Sequence, residues 1–182
     1  MHMPSQGLFR DLSKSQMKEI HISDFQVIIG SGGVLSNAPN QEQAAMMLID
    51  SLLPQGIVEL LLDHRFVMPH LGVFSKLNLQ AALNLLQCEG LVRLGTILAP
   101  LGKGALGAPA IQIKGEVEKG IQINETVNWG EIRTISLAYN EWAQVQIFPK
   151  NGAKWPYPTV LTIQGGFSGI ILDARGRPEL LI

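Results

Sequence analysis

The sequence predicts an α/β segment followed by a mostly β segment. Three observations carry this. A short, β-branched apolar run, Phe25 to Ile29, ends in the cluster Gly30-Ser31-Gly32-Gly33, and a helix-period stretch and a second apolar run, Ile57 to Leu62, follow it. Past Gly90 the helix period disappears and short alternating runs take over, separated by turn residues. The chain has 182 residues, 46% of them hydrophobic, which is room for one ordinary domain or two small ones with a filled core.

Leu8 to Ile22 is a weakly amphipathic stretch in which Asp11-Leu12-Ser13 could open a short helix. The run before Gly30 is too short for a membrane span and reads as a buried strand. Glycines carry no Cβ, so the chain can turn sharply there and lie close to a neighbour. Ligands gather at such turns in α/β sheets. A tight turn without a ligand explains the same residues, and both readings stay open here. Asn40, with Gln43 three residues on, is placed to cap a helix that runs to about Leu53 and stops at Pro54-Gln55-Gly56. Ala45, Leu48, Ile49 and Leu52 share its inner face. Ile57 to Leu62 reads as a second strand, parallel to the first and beside it in one sheet. Pro69 marks the first turn of a short helix. Another helix starts near Asn78, with Leu79, Ala82, Leu83 and Leu86 expected inward and Gly90 as its stop.

Beyond Pro100 a Gly/Ala/Pro-rich crossing, 101–109, leads into alternating runs around Ile111, Ile123, Ile132, Val145 and Val160. Several short strands at regular turn spacing predict a small β barrel or sandwich. The domains are therefore expected at 1–100 and 101–182.

Composition excludes some function classes. Net charge is −1 and no run of Lys or Arg exists to track a phosphate backbone, so nucleic acid is not the expected partner. No apolar stretch is long enough to span a bilayer as a helix. The lone Cys88 forms no intramolecular disulfide and suits a reducing, cytoplasmic compartment. Met1-His2-Met3 reads as a cloning start, and the chain is expected to be a piece of something longer.

Candidate chemistry is sparse. Asp63-His64-Arg65 follows a strand, and its bland reading is a solvated loop. His64 and His70 are six apart, which is not the i, i+4 spacing of a helical zinc pair. Cys88 is expected to pack on its helix, since no His or Lys stands next to it to lower its pKa. Ser31 lacks the Gly-x-Ser-x-Gly frame of a nucleophile elbow. Trp129, Trp142 and Trp155 are not interleaved with basic residues, which favours core or a protein interface over base stacking. Asp173 to Pro178 reads as the turn of a hairpin that joins Ile170-Ile171-Leu172 to Leu180-Leu181-Ile182.

Three blocks, Ile28 to Leu35, Leu62 to Gly72 and Gly169 to Pro178, fall in the order of a known family. They look like the C-terminal part of the MutL-like proteins that accompany glutamate mutase, which are unrelated to the mismatch-repair protein of that name. That family resembles the actin, sugar-kinase and Hsp70 superfamily of ATPases. The resemblance implies the tail of an actin-like ATPase lobe followed by an added β domain. It also implies an ATP-dependent accessory or reactivating factor for an adenosylcobalamin-dependent mutase, with the mutase subunits as partners and ATP with Mg as the cofactor of the full-length protein. Gly30, Ser31, Gly32 and Gly33 match the loop that lies against adenosine. The superfamily's early Asp-x-Gly-Ser/Thr phosphate loop has no match here, so this chain alone is expected neither to hydrolyse ATP nor to hold it tightly, and no catalytic or metal residue is assigned. The alternative is a non-catalytic interaction module whose glycine loop is only a turn. A mutase subunit is disfavoured, because the Asp-x-His-x-x-Gly cobalamin pattern is absent.

Overall fold

The computed structural model describes residues 25–176. The helix expected over Leu8 to Ile22 and the strand expected over Leu180 to Ile182 lie outside them. Strand β1 (Val27–Gly30) leads through a one-turn helix α1 (Gly33–Ser36) to helix α2 (Gln41–Leu52) and strand β2 (Gly56–Leu62). Two short helices follow, α3 (Met68–Phe74) and α4 (Leu79–Leu85), the second continuing as a π-helical turn, Leu86–Gly90. Then come β3 (Val92–Ala99), β4 (Leu101–Gly102), β5 (Pro109–Val117), β6 (Gln122–Asn128), β7 (Ile132–Ile135), β8 (Trp142–Pro149), β9 (Ala153–Lys154), β10 (Val160–Gln164) and β11 (Ile170–Asp173).

The strands form a five-stranded sheet of order β1-β2-β3-β11-β7, a four-stranded sheet of order β10-β8-β5-β6, and a small β4-β9 pair. β1 and β2 are parallel neighbours with Ile28 opposite Leu60, as the strand–helix–strand pattern predicts. The Asn40 side chain accepts from the Gln43 N–H at 2.8 Å, which fixes the start of α2. Leu53, in the left-handed region at φ 46°, ends it. Pro69 sits in the first turn of α3 and Asn78 caps α4 through the Ala81 N–H.

Alternation along the strands sorts the core into two layers. Val58, Leu60 and Leu62 of β2, with Ile171 of β11, face Ala44, Ala45, Leu48 and Ile49 of α2. Leu98, Ile170 and Leu172 point the other way and meet Ile111, Ile113, Val145 and Ile147 of the four-stranded sheet. The order is helix, sheet, sheet.

Four expectations are corrected. Ile170 to Leu172 does not form a hairpin with the chain that follows, because β3 and β7 occupy both of its edges, β3 in parallel and β7 antiparallel. Leu79 and Leu83 are exposed rather than inward, and of the four positions named on α4 only Ala82 is buried. Cys88 is exposed, so it does not pack on its helix. Asp63 is not in a solvated loop; it is fully buried. Helical period alone does not show which apolar face finds a partner. β7 and β11, from beyond residue 100, complete the first sheet.

Candidate functional site

The glycine loop leaves β1 at its carboxyl end, and each of its residues has a different task. Gly30 is buried, and a Cβ there would stand 2.9 Å from Leu35 Cδ1 and 3.0 Å from Leu48 Cδ1. Its missing side chain lets α1 and α2 close on the strand. Gly32 has φ 112°, a conformation that L side chains rarely adopt. Gly33 opens α1 without a positive φ, and its carbonyl accepts from Asn37 Nδ2 at 2.7 Å. Among the described residues a Cβ on Gly32 would meet nothing within 4 Å, and one on Gly33 only Asn37 Nδ2 at 3.9 Å. No side chain among the described residues covers the outer side of Gly32 and Gly33. Ser31 is exposed, but its hydroxyl is aimed at Asp63.

Asp63 holds this loop. It follows β2, the parallel neighbour of β1, and its N–H donates to the Gly30 carbonyl at 2.8 Å. Its carboxylate accepts from the Ser31 hydroxyl at 2.9 Å, the Val67 N–H at 2.8 Å and the Met68 N–H at 3.0 Å. Its carbonyl accepts from the Ser36 hydroxyl at 3.0 Å. Three donors to one carboxylate satisfy a buried charge that would otherwise cost several kcal/mol, about the effective penalty per ion. Sequence reasoning singled out the position and then set it aside. The available signal was an aspartate five residues before the first residue of a helix, where a carboxylate can take free N–H groups.

Beside the loop lies a small cavity of about 190 Å³, bordered by Leu35, Ser36, Asn40 and His64. His64 is half-buried there, while His70 is exposed on α3, so the structure does not join them. Among the described residues no group of three or more His, Cys, Asp or Glu could hold a metal ion. No helix there is long and apolar enough to cross a membrane. Of the tryptophans, Trp129 is core, donating its indole N–H to the Asn151 carbonyl at 2.8 Å, and Trp155 meets Tyr157 edge to face. Trp142 is 41% exposed. It lines a larger cavity of about 490 Å³ near the opposite end of β1.

Residues 8–89 match the family model described as MutL protein. The MutL match takes in β1, the glycine loop, α2, β2 and Asp63, so every residue of the pinned loop lies inside it. Two of the three sequence blocks, Ile28 to Leu35 and Leu62 to Gly72, fall within the MutL-matching segment, and Gly169 to Pro178 lies beyond it. No curated protein and no solved structure matches the chain.

Proposed function

We propose that this chain is part of an ATP-dependent accessory factor for an adenosylcobalamin-dependent mutase of the glutamate mutase type. On this reading the backbone of Gly32 and Gly33 is the surface against which adenosine lies. The observation that carries it is the open outer face of those two glycines, held in place from beneath by Asp63. A nucleotide base can stack closely on backbone that carries no side chain. The MutL match over residues 8–89 supports the family side of the reading. The roles inside the loop divide: Gly30 serves packing, Ser31 ties the loop to Asp63, and Gly32 and Gly33 face the ligand.

Bound ATP, with Mg, would supply free energy for expelling a damaged cofactor from the mutase. The residues described here suit only the adenosine end. Phosphoryl transfer needs groups and a metal positioned around the phosphates, and that work falls on sequence outside this chain. The reading thus assigns this chain nucleotide support rather than catalysis.

Gly33→Val is the discriminating variant, because it adds bulk at the open face without the positive φ that complicates Gly32. In a protein that also carries the upstream gene-encoded sequence, calorimetric titration should show ATP binding weakened at least about tenfold, with the thermal midpoint kept. Unchanged ATP affinity in the folded variant would make the loop a structural turn and favour the interaction module.

A further inference from the structure

The cavity of about 490 Å³ is a groove between two different kinds of surface. Leu161, Thr162, Ile163 and Gln164 all line it. Successive residues of a strand point to opposite faces, so four in a row meet one cavity only when it runs along the strand's edge. β10 is the end strand of its sheet. Its register with β8 pairs Leu161 with Val145 and Ile163 with Ala143, and flanking bonds join Ile147 N–H to the Thr159 carbonyl and Gly165 N–H to the Glu141 carbonyl. The odd-numbered residues therefore bond to β8, and the N–H and C=O groups of Thr162 and Gln164 point away from it. Among the described residues no strand pairs with that side.

The opposite wall is a sheet face. Ile57 and Glu59, two residues apart on β2, both line the cavity, as does Arg93 of β3. Arg93 and Glu59 form an ion pair at 2.5 Å, with side chains 19% and 28% exposed. The pair cancels its own charge. β10 carries no charged residue and no proline, the usual devices that protect an edge from pairing. Trp142 and Tyr157 stand at the groove with apolar ring surface. The groove suits an occupant that is extended, uncharged and able to pair with β10.

We propose that this groove binds an extended, uncharged segment of a partner protein as an added strand on β10. The partner's backbone pairs with Thr162 and Gln164, and its alternate side chains rest on the Glu59–Arg93 face and against Trp142. The four edge residues span roughly 13 Å, which accommodates a segment of about four residues. This site is separate from the glycine loop and does not rest on the nucleotide reading.

The probe is a capped hexapeptide of alternating threonine and valine, added at millimolar concentration to the whole chain. Amide hydrogen exchange at Thr162 and Gln164 should slow at least about tenfold, while Leu161 and Ile163, already bonded to β8, should change little. The same peptide N-methylated on alternate residues should bind about tenfold more weakly, since it loses donors without losing bulk. Thr162→Pro, which removes an outward N–H from an edge strand, should weaken binding similarly. The N-methylated peptide gives the answer even where that variant does not fold. Absence of protection, or equal binding of the two peptides, would overturn the proposal. Protection present without peptide would also overturn it: if lost on deleting residues 1–24, the groove is filled from within; if dependent on protein concentration, a second copy fills it.

Discussion

Ser31 donates its hydroxyl hydrogen to the Asp63 carboxylate at 2.9 Å, and that bond spans 32 positions of sequence. It ties the turn after β1 to the segment after β2. The same carboxylate holds the first N–H groups of α3. One buried side chain thus sets the glycine loop and the following helix relative to each other.

Asp63→Ala should be strongly destabilising, by about 3 kcal/mol, because three donors lose a charged acceptor inside the fold. Ser31→Ala should cost about 1 kcal/mol. Chemical denaturation of both single variants and the double variant would measure the coupling. A double variant no worse than Asp63→Ala is the expected result, since the serine has then lost its acceptor.

The two outer glycines should respond differently to alanine. Gly32→Ala forces a Cβ onto φ 112° and should cost about 1–2 kcal/mol despite open space around it. Gly33→Ala meets only Asn37 Nδ2 at 3.9 Å and should be neutral or slightly stabilising, by up to about 1 kcal/mol. Thermal melts of the pair would separate backbone strain from steric filling.

Asp173, fully buried at the end of β11, takes two bonds from the Arg175 guanidinium, at 3.1 Å and 2.8 Å, and one from the Arg175 backbone N–H at 3.1 Å. Arg175 reaches on to Asp50 of α2 at 2.8 Å. The arginine holds its proton more tightly than usual, first because of Asp173 and then Asp50, against the opposing effect of burial. Asp173→Asn should cost about 2 kcal/mol, because it removes the buried carboxylate of the pair and leaves the guanidinium only its exposed partner, Asp50. Asp50→Asn removes an exposed partner and should cost less than about 1 kcal/mol. Urea unfolding of each variant checks the contrast.

Acid should weaken the turns of the β layer. The Glu141 carboxyl lies below its ordinary value of 4.5, through its bond from Lys119 and then from the Ala138 N–H. Glu131 lies below it too, through its bonds from the backbone and side chain of Asn128. Their folded-state values are lowered, so their contribution is complete above about pH 4.5 and is lost as pH falls through the lower folded values. Lys119 is raised above 10.5 by the same partner, so its share is lost only as pH rises beyond that. The thermal midpoint of Glu141→Gln should fall less steeply below pH 4.5 than that of the parent.

The local pattern of the first hundred residues determined much of the fold. The apolar runs marked β1 and β2, Asn40 and Gly56 bounded the helix and turn between them, and connection length made the strands parallel neighbours. These signals lie within a few residues of one another, so they are legible without knowing the rest of the chain. The glycine loop was legible for the same reason, as a conformational need written in residue type.

Tertiary structure alone decided three things. It placed β11 between β3 and β7, because pairing of distant strands depends on which edges remain free after the others close. It left Leu79 and Leu83 on the surface, because a helical stripe is buried only where another element covers it. It buried Asp63 and gave it the Ser31 donor from 32 positions away, because that contact exists only once β1 and β2 lie side by side, whereas the Val67 and Met68 donors are local to the start of α3.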